Sequence, residues 1–205
     1  MAGQGRAFGT SRSLERERES ILLAERLLKS RTILVAEPVR SELAQEVCAK
    51  LLLLDQESEA KPIDIFINSP GGDVDAGFAI YDMVRFVTAP VRCISAGLTA
   101  SAAVVVLLAA AKAQRLSFPN SRFLIHQPTA GVRGSAADIQ IEAKEIVKIR
   151  ERINHLISEE TGQPVEKVEK DTRRNYWMTA KEAREYGLVG RIVKSKSEIA
   201  RERPA

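Results

Sequence analysis

The amino-acid sequence predicts an α/β fold, in which helices cover a parallel β-sheet, and two observations carry this prediction. Short runs of β-branched and apolar residues alternate with stretches of helical periodicity along most of the chain. The third apolar run, at 91–95, passes through small residues into a purely apolar stretch, which is typical of a helix buried on all sides. With 205 residues, the chain is long enough for one well-buried domain and an appended arm.

The predicted elements follow one another in an alternating order of strands and helices. Strands are predicted at Thr32–Ala36, Ile63–Asn68, Val91–Ser95, Arg115–Phe118, Arg122–His126 and Arg191–Val193. Helices are predicted at Leu14–Leu28, Ser41–Gln56, Val74–Val87, Ser101–Ala111 and Ser135–Thr161, with two shorter ones that begin at Val165 and Thr179. Ser41 is expected to cap its helix, and Thr179 with Glu182 is predicted to form a capping box.

One predicted helix, at 135–161, is long for a domain of this size. Apolar residues recur along it at three- and four-residue spacing, among them Ile139, Ile146, Ile153 and Leu156. A protruding helix with an apolar stripe usually buries that stripe against a partner. The sequence therefore predicts a protein–protein contact along this helix.

Composition and motifs exclude several classes of function. The net charge is +4, but the basic residues have no aromatic interleaving, so no nucleic-acid role is expected. No apolar run reaches the roughly 20 residues of a membrane span, and no secretory signal is recognised. Two histidines and two cysteines at unrelated positions, without a phosphate-binding motif, predict neither a metal nor a cofactor. Cys48 and Cys93 form no disulfide framework, which fits a cytoplasmic protein.

Ser101 lies where the strand at 91–95 and the small residues after it meet the buried helix. A serine at a strand–turn–helix joint has the geometry of a nucleophile elbow, although the G-x-S-x-G pattern is absent. Backbone N–H groups at the start of the helix can stabilise a developing oxyanion. The alternative is that Ser101 only caps the helix. The Gly71-Gly72 pair can likewise present N–H groups to a bound oxygen, or form an ordinary tight turn.

A serine nucleophile needs a base, and the chain offers two histidines for this role. His155 lies among charged residues of the long helix, where a surface position is expected. His126 ends a predicted strand, and sites in parallel sheets form outside the carboxyl ends of the strands. Ser101 and His126 are therefore expected at one edge of the sheet, with a purely structural role for His126 as the alternative.

Several blocks of the chain resemble one known family. The blocks INSPGGDVDAG, AGLTASAA, PNSRFLIHQP, TGQPVEKVEKD and MTAKEAREYGLV, in this order and at this spacing, are similar to the proteolytic subunit of the Clp protease, ClpP. The resemblance extends over residues 30–193 without obvious insertions. It implies the α/β fold of the ClpP/crotonase type, which is a spiral of βαβ units, with a protruding handle helix.

The resemblance implies a serine peptidase and suggests its site. Ser101 corresponds to the family's nucleophile, His126 to its general base and Asn175 to the third member of the triad. The backbone N–H groups of Gly72 and Ala102 correspond to the oxyanion hole. Substrate is expected to contact the glycine turn and a segment that pairs with an extended peptide, through Gly71, Thr129, Ala130, Gly131 and Val132.

The resemblance also implies partners and an organisation of the chain. Family members form seven-membered rings that stack face to face through the handle, and an AAA+ unfoldase, which uses the ATP, delivers unfolded polypeptide. A second ClpP paralogue in a mixed ring is a further partner to consider. The expected parts are an N-terminal arm at 1–30, partly disordered, a head at 31–128 and 162–193, a handle at 129–161 and a flexible basic tail at 194–205.

The family's triad acid is an aspartate, and its replacement by Asn175 is the largest departure. An asparagine oxygen can accept a hydrogen bond from His126 Nδ1–H, but it lacks the charge that stabilises an imidazolium. Asp171, four residues earlier, is an alternative partner if this segment is helical. The sequence thus indicates an atypical paralogue that is slow, or that becomes active when partners order the triad.

Two further departures from the family pattern are milder. Ala102 replaces the usual methionine after the nucleophile, and the N-terminal segment lacks the family's apolar gating loop.

One leading function and two rivals remain. The leading prediction is a cytoplasmic serine endopeptidase. The first rival is a structural or regulatory ring subunit of low activity. The second is an acyl-CoA enzyme of the crotonase type, which shares the fold but needs neither Ser101 nor His126.

Overall fold

The structure, a computed structural model, describes residues 18–19, 21–129 and 131–200. The strands in this part of the chain are β1 (Thr32–Val35), β2 (Ile63–Ser69), β3 (Val91–Ala100), β4 (Arg115–Ser117), β5 (Arg122–Ile125), β6 (Tyr176–Thr179) and β7 (Arg191–Ile192). The helices are α1 (21–29), α2 (Ser41–Glu57), α3 (Val74–Phe86), α4 (Ala102–Leu108), α5 (Ala136–Thr161), α6 (Val165–Thr172), α7 (Ala180–Tyr186) and α8 (Lys196–Ala200). The predicted α/β architecture is confirmed. Of the N-terminal arm at 1–30, which is predicted to be partly disordered, residues 1–17 and 20 lie outside the described residues.

The sheet is parallel along the order β1-β2-β3-β4-β7, and β3 divides it. The first half of β3 pairs with β4 and the second half pairs with β5. Between them Gly97 adopts φ 127°, and Asn68 Oδ1 approaches so closely that a Cβ at Gly97 would lie 2.6 Å away. The same oxygen accepts a hydrogen bond from Leu98 N–H at 2.9 Å. Because these contacts continue the strand, β3 reaches Ala100 instead of ending at Ser95 as predicted.

Strand β6 is absent from the sequence prediction. It pairs antiparallel with β5, and the register places Ile125 opposite Tyr176. The residues that follow β5 therefore meet the residues that precede β6. This pairing brings two distant parts of the chain together at one end of the sheet.

Helix α4 lies at the centre of the hydrophobic core, and all seven of its residues are buried. Helix α3 packs against α4 on one side and against α2 on the other. Helix α4 ends at Leu108 and not at Ala111 as predicted, and a short 3-10 turn at Lys112–Gln114 then leads the chain into β4. This packing holds the residue before α4, Ser101, in a fixed place.

Helix α5 is fixed to the rest of the fold at its C-terminal end. The buried Arg115 side chain donates hydrogen bonds to Ala110 O (2.7 Å) and Glu160 O (2.9 Å), and it pairs with the Glu160 carboxylate. The N-terminal half of α5 is exposed, including Ile139 and Ile141, whose side chains are 45% and 59% accessible. The predicted long helix is therefore present, and its outer half has no cover in the single chain.

The ends of two other helices show how well local capping signals can be trusted. The predicted capping box of Thr179 and Glu182 is present at the start of α7. Ser41, by contrast, is the first residue of α2 and not its cap. Arg40 occupies the N-cap position and its side chain makes no capping bond.

The C-terminal segment is more ordered than the predicted flexible tail at 194–205. Residues 196–200 form α8, and Ile199 is buried against an apolar cluster on the sheet. Arg92 of β3, paired with Asp64, donates a hydrogen bond to Ile199 O at 3.1 Å. An apolar anchor within the tail thus overrides its basic composition, and residues 201–205 lie outside the described residues.

Three further features bear on the class of protein. No helix in the described ranges is both long and apolar enough to cross a membrane. The described residues also contain no group of three or more His, Cys, Asp or Glu that could hold a metal ion. Cys48 and Cys93 are free thiols, and burial raises the pKa of Cys93 to about 12. A thiol that stays protonated is a poor nucleophile, so Cys93 is a core residue.

Candidate active site

Ser101 occupies the turn between β3 and α4. Its backbone has φ 55° and ψ −124°, a conformation that non-glycine residues rarely adopt and that costs on the order of 1–3 kcal/mol. Two backbone hydrogen bonds hold the turn, from Ser101 N–H to Leu124 O and from Val104 N–H to Ser101 O, both at 2.9 Å. The Ser101 side chain makes no capping bond to α4. Ser101 thus occupies the N-cap position without capping the helix through its side chain, and the geometry is that of an elbow that presents a hydroxyl.

The Gly71-Gly72 turn packs directly against this elbow. Gly71 has φ 89°, and a Cβ at this position would lie 2.7 Å from Ser101 Cβ and 2.9 Å from Ala102 N. Gly72 has φ 151°, and a Cβ there would collide with Val39 O across the bridge that joins these two residues. Only glycine fits either position. The backbone of the turn and the first N–H of α4 consequently lie close to each other beside Ser101.

His126 follows the last residue of β5 and lines the same pocket as Ser101. Its Nδ1 lies 3.1 Å from Asn175 Oδ1. Because that oxygen can only accept, Nδ1 carries the proton of this pair, and in the neutral imidazole Nε2 then has the free lone pair. This is the tautomer that can take a proton from a serine hydroxyl. Among the described residues no hydrogen bond joins the Ser101 hydroxyl to the imidazole, and such contacts often tighten only when substrate binds.

The pairing of β5 with β6 explains why Asn175 faces His126. The register places Ile125, the residue before His126, opposite Tyr176, the residue after Asn175. The next opposed pair in an antiparallel arrangement is His126 with Asn175. Strand register therefore positions the partner of the histidine, although Asn175 itself belongs to a loop.

Asp171, the alternative partner, is engaged elsewhere. Its Oδ2 accepts hydrogen bonds from Lys167 Nζ at 2.5 Å and from the Tyr186 hydroxyl at 3.1 Å. Burial raises the pKa of Tyr186, and the charge and hydrogen bond of Asp171 raise it further. The carboxylate thus stabilises the packing of α6 against α7, and Asn175 is the residue bonded to His126.

An apolar pocket opens beside Ser101 and His126. Four elements and the segment after His126 contribute to its wall, with the residues Val74, Ala102, Val104, Val105, Ile125, Pro128, Ile153 and Ile157. None of these wall residues has an ionisable side chain. A pocket of this kind suits an apolar side chain of a ligand. No local pattern in the sequence predicts it, because its residues come from separate parts of the chain.

The structure brings most of the predicted site residues together, but the described part of the predicted substrate-pairing segment is not a strand in the single chain. Gly71, Gly72, Ser101, Ala102, His126 and Asn175 lie at one end of the sheet. Thr129, Gly131 and Val132 have no regular secondary structure, and Ala130 lies outside the described residues. His155 is exposed on α5, as expected.

A parallel α/β sheet with an elbow serine, a histidine and an amide partner at one end is the arrangement of a candidate serine hydrolase. Comparison with known families then gives a narrower assignment: the model of the Clp protease family matches residues 15–196. The chain belongs to the Clp protease family. The crotonase-type enzyme, the remote alternative, is not the family that matches.

Individual relatives agree with this assignment. The chain is 51% identical over 177 residues to the ATP-dependent Clp protease proteolytic subunit 2 of Treponema denticola, covering 86% of this chain and 88% of the relative. It is 50% identical over 173 residues to the proteolytic subunit 3 of Rhizobium etli, covering 84% and 89%. A solved asparagine-to-aspartate mutant of ClpP1 from Listeria monocytogenes superposes with a TM-score of 0.80 at 44% identity, over 86% of this chain and 99% of that one. The ClpP-type fold is thereby confirmed.

Proposed function

We propose that this chain is a serine endopeptidase subunit of a self-compartmentalised, Clp-type protease. It hydrolyses peptide bonds in unfolded polypeptides that an AAA+ ATPase delivers, and it needs no cofactor of its own. The observation that supports this most directly is that an elbow serine and a histidine held by an amide oxygen line one pocket. Relatives at 51% and 50% identity are named as proteolytic subunits.

The chemistry follows from the roles of the grouped residues. His126 Nε2 takes the proton of the Ser101 hydroxyl while Oγ attacks the peptide carbonyl carbon. The N–H groups of Gly72 and Ala102 donate hydrogen bonds to the oxyanion that forms. The imidazolium then gives its proton to the leaving amine, and an acyl-enzyme remains on Ser101. Water, deprotonated by His126, attacks this ester and releases the second product.

The pocket beside the serine favours an apolar residue before the scissile bond. Its wall is aliphatic, so burial of a Leu or Met side chain there is favourable by roughly 1.5–3 kcal/mol. A charged side chain would lose its hydration without gaining a partner among the wall residues. Thr129, Gly131 and Val132, together with Gly71, are proposed to pair with the extended backbone of the substrate.

Covalent labelling with a serine-directed fluorophosphonate tests the proposal. Intact-mass analysis of the purified wild type is expected to show one adduct per chain, since an activated hydroxyl displaces the leaving group from phosphorus. Ser101→Ala is expected to show none. Ser95→Ala and Ser117→Ala remove other buried hydroxyls and serve as matched controls that retain the adduct. An assembled wild type that stays unlabelled would contradict the proposal.

A second candidate, a ring subunit of low activity, is favoured by one observation. The partner of His126 is an uncharged amide and not a carboxylate. Such a subunit would contribute mainly to assembly in a mixed ring with a second paralogue. The labelling experiment separates the two candidates, because a silent subunit gives no adduct in its own ring.

The exposed half of α5 supports the proposal that rings of seven subunits stack through this helix. Ile139, Ile141 and Val147 are 45%, 59% and 42% exposed in the single chain. Large exposed apolar side chains on a protruding helix are typical of a surface that a second copy covers. We also propose that the subunit works in the cytoplasm, where reducing conditions keep thiols such as those of Cys48 and Cys93 free.

Replacement of Ile141 with aspartate is expected to separate the double ring. The change places a charge in an apolar contact, where burial without a partner is unfavourable. Native mass spectrometry is expected to shift from assemblies of about fourteen chains to seven or fewer. Ile141→Val, which keeps the apolar surface, serves as the control at the same position. Unchanged assembly in Ile141→Asp would show that the outer half of α5 is not the ring contact.

A further inference from the structure

The loop that carries Asn175 is exposed and needs an external support. Arg173, Arg174 and Asn175 connect α6 to β6, and all three are exposed. Exposed loop residues move more easily than the elements that they join. Nevertheless, Asn175 Oδ1 must remain within hydrogen-bond distance of His126 Nδ1, which it contacts at 3.1 Å.

Gln127 holds the first residue of this loop and the residue before it, the last of α6. Its backbone N–H donates a hydrogen bond to Thr172 O at 2.7 Å, and its side-chain Nε2 donates one to Arg173 O at 3.1 Å. Both acceptors lie within three residues before Asn175. On the other side of Asn175, Tyr176 is fixed by its pairing with Ile125. The two neighbours of His126 in the chain therefore support the loop on both sides of Asn175.

The contacts of Gln127 indicate that its side chain acts on the loop and not on substrate. It bonds to the carbonyl of Arg173, and it is absent from the residues that line the pocket beside Ser101. A charged partner would be drawn towards an imidazolium by electrostatic attraction, whereas the neutral Asn175 depends on placement. An uncharged triad partner thus makes the support of its loop more important.

We propose that Gln127 is a positioning residue, whose side-chain hydrogen bond to Arg173 O holds Asn175 in place to orient His126. This inference rests on the proposed peptidase function. Gln127 does not touch the reacting atoms, so its loss is expected to slow the chemical step and to leave substrate binding unchanged.

Gln127→Met tests the proposal, because it keeps the length of the side chain and removes the donor. In the assembled protein kcat is expected to fall about three- to tenfold, the range of one lost hydrogen bond, with KM unchanged. Gln163→Met is the matched control. Gln163 Nε2 also donates a hydrogen bond to a backbone carbonyl, Tyr186 O at 3.0 Å, but Gln163 does not line the pocket. The kcat of Gln163→Met is therefore expected to stay at the wild-type value.

A double-variant cycle separates positioning from a general loss of structure. If Gln127 acts through Asn175, then Gln127→Met has no further effect in the Asn175→Ala background. An unchanged kcat in Gln127→Met would overturn the inference, and so would an equal loss in both backgrounds.

Failure of the proposed function gives a different result. In that case the wild type shows no turnover that Ser101→Ala removes, and amide hydrogen exchange at residues 173–176 becomes the readout. Faster exchange in Gln127→Met than in Gln163→Met would show that Gln127 stabilises the loop. Equal exchange in the two variants overturns it.

Discussion

Replacement of His126 with alanine is expected to lower kcat for peptide hydrolysis about 10³- to 10⁴-fold, with little change in KM. The variant loses the Nε2 lone pair that takes the Ser101 proton. None of the residues that line the pocket could replace it, since no other wall side chain is ionisable. A fluorogenic peptide with leucine before the scissile bond provides the measurement, with kcat and KM determined separately.

The other histidine of the chain provides the control for this prediction. His155 is exposed on α5 and does not line the pocket, so His155→Ala is expected to keep the wild-type rate. The double variant Ser101→Ala with His126→Ala is expected to be no slower than either single variant, because the two residues act as a unit. A rate for His126→Ala within threefold of the wild type would show that His126 is structural.

The sheet and its central helix could be predicted because their residues leave clear local patterns. Buried residues alternate with less buried ones along β2, and α4 is a continuous apolar run. Strand β6 could not be predicted in the same way. It has four residues, of which only Met178 is buried, and the strand that it pairs with, β5, lies far earlier in the chain. Its pairing is a tertiary effect that overrides a weak local signal.

The residues of the site also differ in whether local sequence pattern could predict them. Ser101 and His126 could be placed at one end of the sheet because each follows a strand with a strong pattern. The role of Asn175 came from resemblance alone, since the register that sets it opposite His126 depends on β6. Helical spacing left Asp171 open as an alternative. Only the structure shows that Lys167 and Tyr186 engage its carboxylate.

The pocket wall and Gln127 gave no signal in the sequence. Val74, Val105, Ile125 and Ile153 are ordinary apolar residues of four different elements, and only folding makes them one surface. The side chain of Gln127 likewise bonds to the carbonyl group of Arg173, in a loop that belongs to another part of the chain. Local pattern therefore identifies which residues can react, and tertiary structure identifies what orients them.

Replacement of Asn175 with aspartate is expected to raise kcat about 10- to 100-fold. A carboxylate next to Nδ1 stabilises the imidazolium that forms when His126 takes the serine proton, and hydrogen bonds to charged groups contribute about 1.5–3 kcal/mol. At an effective dielectric constant of about 20, two charges about 4 Å apart interact by roughly 4 kcal/mol, but Asn175 is exposed and solvent screens part of this. Each 1.36 kcal/mol changes the rate about tenfold, which gives the expected range.

The gain is limited because Asn175 already makes one of the two contributions that an aspartate would make, the hydrogen bond to His126. Its oxygen accepts from Nδ1 and so holds the reactive tautomer, which leaves only the charge to be added. Asn120→Asp adds the same charge at an exposed turn before β5 and is expected to leave kcat unchanged. Asn175→Ala also loses the hydrogen bond, so it provides neither contribution and is expected to be slower than the wild type. If Asn175→Asp hydrolyses the peptide no faster than the wild type, then charge at this position does not limit the reaction. The low activity expected of this subunit would in that case have its origin elsewhere.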